Sequence, residues 1–368
     1  MKFGNGTTRP ISGSLPVAGD QTAIRDLMAR YARLSIAVVG DLFLDRYLEI
    51  DPARAERSLE TGLTVHNVVS VRAEPGAAGA IVANLAAMGV GEVVPIGVVG
   101  EDGEGHELWN ALSAIPNVRM AHVVRTGTRR TCAYVKPFVR QAPGQVQELE
   151  RLDFKNWTPT PVAVIQRLAA SVRAVAERAH AIVVMEQVEA EGTGVVTPMV
   201  LRAVADVGRA RPELITIADS RRSLAGYPLP LALKMNAVEF DRLPGSTPGP
   251  KRFPGMPAGG DQTLDERVAT FSAQRGTPVY VTDAEGGIVG ATPGGKAARA
   301  PALPIRGPID VVGAGDAVTA ALAAALAARA TPARACATAM VAASVVIHQI
   351  GSAGVASRQA MEALCGAS

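Results

Sequence analysis

Residues 35–41 read SIAVVGD. Ile36, Ala37, Val38 and Val39 are apolar at every position, with no period of two. A strand with one wet face alternates; a strand apolar on both faces is covered on both, as in a parallel sheet between two layers of helices. Further along the chain the same texture recurs. A helix over 162–180 leads into AIVVM (181–185), and a helix over 195–210 into LITIAD (214–219). LALKMN (231–236) follows, then a helix over 264–275 and PVYVT (278–282). Helices over 316–329 and 332–349 close the chain. Strands alternating with helices predict right-handed βαβ units around a parallel sheet.

Two other stretches have a different period. GLTVHNVVSVRAEP (62–75), and RTCAYVKPFV (130–139) with VQELERLDF (146–154), alternate roughly by two. They predict a small, half-exposed sheet projecting from the main body. The expected fold is α/β: a central, mostly parallel sheet with helices on both faces, plus a small β-sheet lid. Lid strands are expected from about 46–75 and 128–154, within a single domain over 21–368. Residues 1–20 read as a flexible arm, with Asp20 capping a first helix whose stripe is Ile24, Leu27, Met28 and Tyr31. The Pro- and Gly-rich run over 243–261 reads as a surface loop.

Composition excludes several classes. With 48% hydrophobic and 19% charged residues in 368, the chain is core-rich. A net charge of +3, with Lys and Arg scattered, argues against nucleic acid as a partner. Cys132, Cys336 and Cys365 form no CxxC spacing, and the five histidines form no HExxH. These predict free thiols, no zinc site and a reducing compartment. No apolar leader or membrane span is visible, so a cytoplasmic protein without a membrane partner is expected. His348 reads as a packed helix-end histidine.

Parallel sheets bind ligands at the carboxyl ends of their strands. Asp41, Asp45, Gly100, Asp102, Glu186, Asp219, Asn236, Glu239 and Thr282 all fall there. So does PIDVVGAGDA (308–317). Its glycine turn opens a helix, where unpaired N–H groups and the helix dipole attract an anion. A carboxylate, Asp316, sits against that turn. It would repel a phosphate that was only held there, but it suits a base that takes a proton from an attacking hydroxyl. The four residues alone also fit a plain turn with an acidic helix start.

DVVGAGDA (310–317) resembles the DTxGAGD signature of the ribokinase-like (PfkB-type) sugar kinases. NAVE (236–239) resembles that family's NxxE, GVVGEDGEG (97–105) its GxxGxDxxG, and VTDAEGG (281–287) its VTxGxxG. The likeness runs in order over roughly 35–360. It implies Asp316 as catalytic base, and Gly313, Ala314 and Gly315 as an anion hole. It implies Asn236 and Glu239 as organisers of Mg²⁺ through water. Asp219, Thr282 and Gly287 are then expected on the nucleotide side. VVGDLFLDRY (38–47) and ERLDF (150–154) look most like the heptose-phosphate kinase branch. That branch often carries a fused nucleotidyltransferase, an activity not expected of this chain.

The resemblance breaks at named places. PGAAGA (75–80) stands for PGGAAN, so Ala77 replaces a glycine and Ala80 an asparagine, with Asn84 one turn later. Ala284 replaces the first glycine of VTxGxxG. MEQVEAEG (185–192) replaces DYxKG, and DSRR (219–222) replaces DPKG.

On the acceptor side, Asp41, Asp45, Gly76 and Asn84 are the candidates. The strand-end position favours a ligand role for Asp41; the other readings are Asp41 as a turn residue and Asp45 as a partner of Arg46. Arg151, with Asp153, either clamps a substrate phosphate or is a solvated strand charge. The expected reaction moves the γ-phosphoryl group of ATP to a hydroxyl of a sugar or sugar phosphate, with Mg²⁺ and a monovalent cation as candidate cofactors. A heptose phosphate is the acceptor the branch suggests. A ketohexose, ribose or nucleoside kinase, or a kinase-fold binding protein without catalysis, are the other readings. An open lid edge predicts a homodimer through the lid.

Overall fold

The computed structural model describes residues 18–142, 145–246 and 262–366. The predicted strand over 35–41 is β1 (Ser35–Gly40). Asp41 alone separates it from β2 (Leu42–Ile50), the first long lid strand. β3 (Glu56–Arg57) and β4 (Thr64–Val65) form a small hairpin before β5 (Val68–Ala77). The chain returns to the main sheet in β6 (Glu92–Gly100) and β7 (Val123–Thr126). It enters the lid again in β8 (Cys132–Ala142), β9 (Gln145–Glu148) and β10 (Leu152–Phe154). Six strands complete the main sheet: β11 (Ala181–Glu186), β12 (Ile215–Ser220), β13 (Ala232–Asn236), β14 (Val279–Thr282), β15 (Ile288–Ala291) and β16 (Ala298–Ala300).

The main sheet has nine strands in the order β16-β15-β14-β13-β12-β11-β1-β6-β7. β14 to β7 run parallel, while β15 and β16 add an antiparallel edge that the sequence reading did not separate from loop. The lid is a separate sheet ordered β10-β8-β2-β5, with β9 paired to β8. It begins at residue 42, earlier than expected, because β2 continues directly out of β1.

Ten helices are described: α1 (Ala18–Ala29), α2 (Ala78–Ala87), α3 (Gly103–Ser113), α4 (Val162–Ala176), α5 (Pro198–Ala210), α6 (Ala237–Asp241), α7 (Leu264–Arg275), α8 (Ala314–Ala327), α9 (Pro332–Val346) and α10 (Arg358–Leu364). α1 starts two residues before Asp20, so Asp20 lies inside the helix instead of capping it. The remainder of the expected arm, 1–17, and residues 247–261 of the expected loop lie outside the described residues.

β1 shows why the apolar run reads as it does. Ile36 and Val38 enter one core cluster with Ile81, Val318 and Val341 of α2, α8 and α9. Ala37 and Val39 enter the other with Leu168, Val200 and Val268 of α4, α5 and α7. Each fully buried Val or Ile on either face contributes about 1.5–3 kcal/mol, so neither face tolerates a polar residue. The core surrounds the sheet and leaves its carboxyl edge beneath the lid. All three cysteines are free and buried. No described helix is long and apolar enough to cross a membrane.

Candidate active site

The lid's register sorts its side chains. Cross-strand neighbours share a face. Glu74, Asp45, Tyr134 and Asp153 form one row, and Arg72, Tyr47 and Lys136 the next. The opposite face is apolar near its root, where Leu44 and Ala133 join the core and Arg46 pairs with Glu104 and Glu107 of α3. The polar rows therefore form a distinct face of the lid.

Asp45 is the central group of that face. It is 6% exposed, and Lys136 Nζ donates to its Oδ2 at 2.9 Å. Its Oδ1 is buried and accepts no hydrogen bond from the described residues. A buried carboxylate oxygen without a donor costs free energy unless a ligand supplies one. Gly76 lies beside it: a Cβ there would come within 2.8 Å of Oδ1. The expected partner Arg46 faces the other way. Lys136 also stands 4.8 Å from the Tyr47 ring, and Arg72 4.5 Å from it. Neither was foreseen, because a lone strand cation gives no hint of a partner 91 residues away.

Arg151 and Asp153 lie on the same lid but bind one another, Nε to Oδ1 at 2.6 Å and a terminal nitrogen to Oδ2 at 3.0 Å. Arg151 also lies over the Tyr134 ring at 4.2 Å. This fork holds a carboxylate of its own chain, whereas a clamp on a substrate phosphate was one of the two readings.

Two acceptor candidates have other work. Asp41 accepts from the backbone N–H groups of Gln187, Val188 and Val195 at 2.8, 3.0 and 2.7 Å. The hydrogen bonds expected to go to sugar hydroxyls thus hold the segment after β11. Burial pushes its carboxyl above the usual range, against the pull of those donors. Asn84 is fully buried; its amide donates to Ala80 O and accepts from Ala356 N, both at 2.9 Å. It ties α2 to the chain before α10.

Asp316 lies in the first turn of α8, whose N-cap Gly313 has φ 80°. The Ala353 carbonyl occupies the space where a Cβ at Gly313 would lie, so only glycine fits. Asp316 is partly exposed but mostly surrounded by protein. Loss of solvent first, and the Asp219 carboxylate second, push its carboxyl up to about 7, against Lys234 and Arg221. Asp45 adds a further push, which places the lid carboxylate within electrostatic reach of Asp316. A carboxyl near neutrality is suited to accept a proton.

Asp219, expected at the nucleotide, is 7% exposed, and its Oδ2 accepts from Lys234 Nζ at 2.7 Å and Thr319 Oγ1 at 2.9 Å. It anchors a buried lysine that the sequence reading missed; the signal was there, as the one charge inside LALKMN. Asn236 and Glu239 cap α6 reciprocally, Glu239 N to Asn236 Oδ1 at 2.9 Å and Asn236 N to Glu239 Oε2 at 2.8 Å. Glu239 Oε1 stays outside this box. Among the described residues no cluster of three or more acidic, His or Cys groups is placed to hold a metal. The side-chain oxygens of Asn236 and Glu239 are of the kind that a hard divalent cation takes, directly or through water.

Thr282 ends β14 with its hydroxyl on Met235 O at 3.4 Å, and Gly287 turns the chain against the backbone of 300–302. Beside α8, the segments 309–312 and 347–351 are joined through Asp310, which accepts from Gly351 N at 3.1 Å. They expose Ile309, Val311, Val312 and Ile350, an apolar patch next to the anion-type turn. Glu74 and Arg72 reach it from the lid: Ala353 N donates to Glu74 Oε2 at 3.2 Å, and Arg72 donates to Gly351 O. A separate small cavity at the lid's root is lined by Asp41, Arg129, Cys132, Asn156 and Val195. It includes neither Asp45 nor Asp316, and the charge geometry, not that hollow, marks the site.

The profile described as pfkB family carbohydrate kinase matches residues 35–358. The chain belongs to the pfkB family of carbohydrate kinases. This pfkB-family chain is 29% identical over 326 residues to the "Bifunctional protein HldE" of Gluconobacter oxydans, covering 87% of this chain and 62% of that protein. It is 29% identical over 343 residues to the protein of the same name from Rhodospirillum rubrum, covering 93% of this chain and 64% of the relative. The chain thus spans less than two thirds of these relatives.

Among solved structures, Arabidopsis thaliana ribokinase complexed with ribose and ATP superimposes with TM-score 0.62 at 21% identity, covering 91% of this chain and 99% of that one. Escherichia coli phosphofructokinase-2, in complex with substrates and products, gives TM-score 0.64 at 14% identity, covering 90% and 98%. The fold is that of the ribokinase-like kinases.

Proposed function

We propose that this pfkB-family kinase transfers the γ-phosphoryl group of ATP to a hydroxyl of a sugar or sugar phosphate, with Asp316 as the base. One observation carries the reading: a carboxyl pushed up to about 7 lies in the first turn of α8, beside Gly313–Gly315, and feels the charge of Asp45 on the lid. Asp45 accepts from acceptor hydroxyls, and Gly76, lacking a Cβ, lets that carboxylate lie close against the β5 backbone. Asp316 removes the proton from the attacking hydroxyl. The amides of Gly313, Ala314 and Gly315 receive charge that develops on the moving phosphoryl group. Mg²⁺, when bound with the nucleotide, neutralises phosphate charge; Asn236 and Glu239 orient its water shell.

The exposed Ile309, Val311, Val312 and Ile350 suit the apolar face of adenine. Lid contacts from Arg72 and Glu74 to the 351–353 turn hold the two halves together and exclude water. The names of the HldE relatives and the ordered motifs favour a heptose phosphate as acceptor. Edge strand β5 exposes Val68, Val69 and Val71, which a second copy's lid would cover. The test is ADP release with ATP and Mg²⁺ over a panel of sugars and sugar phosphates. Acceptor-dependent release supports the reading. Ligand binding without turnover on any acceptor contradicts it.

A further inference from the structure

We propose that Lys136 binds the acceptor jointly with Asp45. One acceptor hydroxyl, other than the one phosphorylated, donates to Asp45 Oδ1 and accepts from Lys136 Nζ. The proposal rests on the kinase reading above and adds a specificity-determining residue to it.

Lys136 and Asp45 lie on the neighbouring lid strands β8 and β2. The lysine side chain is only 12% exposed, and Nζ lies 2.9 Å from Oδ2. A buried ion pair is a weak stability device, since apolar side chains of similar volume serve a core as well or better. A pair kept for packing alone would also have its hydrogen bonds filled. This pair leaves one open on each partner. Oδ1 is buried and has no donor among the described residues. An ammonium has three N–H donors. Asp45 Oδ2 takes one of them, and the Tyr47 hydroxyl stands 3.4 Å from Nζ for a second. Among the described residues the third finds no acceptor. The pair thus offers one free acceptor and one free donor. A hydroxyl, which both donates and accepts, satisfies the two at once.

The pair is held in place before any acceptor arrives. The Tyr47 ring lies 4.8 Å from Nζ and 4.5 Å from the Arg72 guanidinium, and Arg72 is itself tied to Gly351 O. Groups ordered in advance lower the cost of binding. Charge decides what fits between them. Arg72 and Arg151 on the same face are already paired, with Glu74 at 2.9 Å and Asp153 at 2.6 Å. An anionic group at Oδ1 would meet the Asp45 carboxylate, whereas a neutral hydroxyl meets a matched donor and acceptor. The pair therefore reads a hydroxyl, and any phosphate the acceptor carries lies elsewhere. Asp45 also acts on the Asp316 carboxyl, so a sugar held here by one hydroxyl presents another to the base.

The test compares an acceptor that the wild type turns over, found on a panel of sugars and sugar phosphates, with its singly deoxygenated analogues. Lys136→Met should lower kcat/KM for the parent acceptor about 10–100-fold, the scale of one hydrogen bond to a charged group. Its affinity for a non-hydrolysable ATP analogue with Mg²⁺, measured by calorimetry, should stay within about threefold of wild type. For one deoxy analogue the further loss should be about tenfold smaller in Lys136→Met than in wild type, because the contact is already gone. The double variant Lys136→Met/Asp45→Asn leaves no lone buried carboxylate and carries the test if the single variant does not fold. It should process that analogue and the parent within about threefold of each other. Lys136→Met with the wild-type kcat/KM, or either folded variant losing the same factor on the parent and on every deoxy analogue, overturns the proposal. A wild type that turns over no acceptor on the panel overturns the kinase reading, and the proposal with it.

Discussion

At the scale of single residues, Asp316 carries the strongest expectations. Its carboxyl titrates near 7, so the transfer rate should climb as pH rises through that value and level off above it. Asp316→Asn should lower kcat by at least about 100-fold while nucleotide binding persists. The same shift has a stability sign. The native carboxyl holds its proton to a higher pH than the unfolded one, whose value is 3.8. Between those values the native state binds more protons, so this group's contribution to stability falls as pH rises. Melting curves should therefore show Asp316→Asn gaining more over wild type at pH 8 than at pH 4; an equal gain at both contradicts the shift.

Ala77 and Ala284 make a different residue-scale point. They stand where the family pattern has glycines, and they are two of the three described non-glycine residues with positive φ, at 51° and 43°. The backbone kept the glycine conformation after the side chain changed. Ala77→Gly should raise stability by about 1 kcal/mol in urea unfolding by relieving that strain. No change, or a loss, would mean that the turn is not strained.

At the scale of elements, the sequence was legible wherever the pattern is local. β1 and β11 announce themselves because Ile36–Val39 and Ile182–Val184 are apolar on both faces, and β12, β13 and β14 follow as short, mostly apolar runs between helices. GAGD announces α8, since a glycine turn before an apolar run has few other uses. Hydrogen bonds between distant elements left no local mark. Asp41 looked like a ligand group because strand ends carry ligands, yet its three donors come from residues 187–195. Asn84 looked like a displaced motif residue, yet it serves Ala356 across 272 positions. Lys136 was overlooked for the same reason, whereas Lys234 did leave a local mark, the one charge inside LALKMN. β15 and β16 were missed because IVGA and ARA are too short to show a period. Asp41→Ala should thus cost about 3 kcal/mol or more in unfolding, because several buried N–H groups lose their acceptor. A variant with unchanged stability but impaired acceptor binding would restore the original expectation for Asp41.

At the scale of the molecule, the sheet supplies a rigid carboxyl edge and the lid brings Asp45 to it. Contacts from Arg72 and Glu74 to the 351–353 turn run from the lid to the loop that packs on Gly313. The apolar edge of β5 belongs to this scale as well. Light scattering should find a dimer, and Val71→Lys should shift it to monomer; a wild-type monomer at working concentration contradicts the lid interface. The central claim is that Asp316 deprotonates a sugar hydroxyl that attacks ATP. The direct measurement follows radiolabelled γ-phosphate from ATP into a panel of sugars and sugar phosphates, with wild type and Asp316→Asn side by side. Label should reach at least one acceptor with the wild type and fall by about 100-fold or more with Asp316→Asn. Labelling at similar rates by both proteins, or no labelled acceptor from a wild type that binds ATP and sugar, would contradict it.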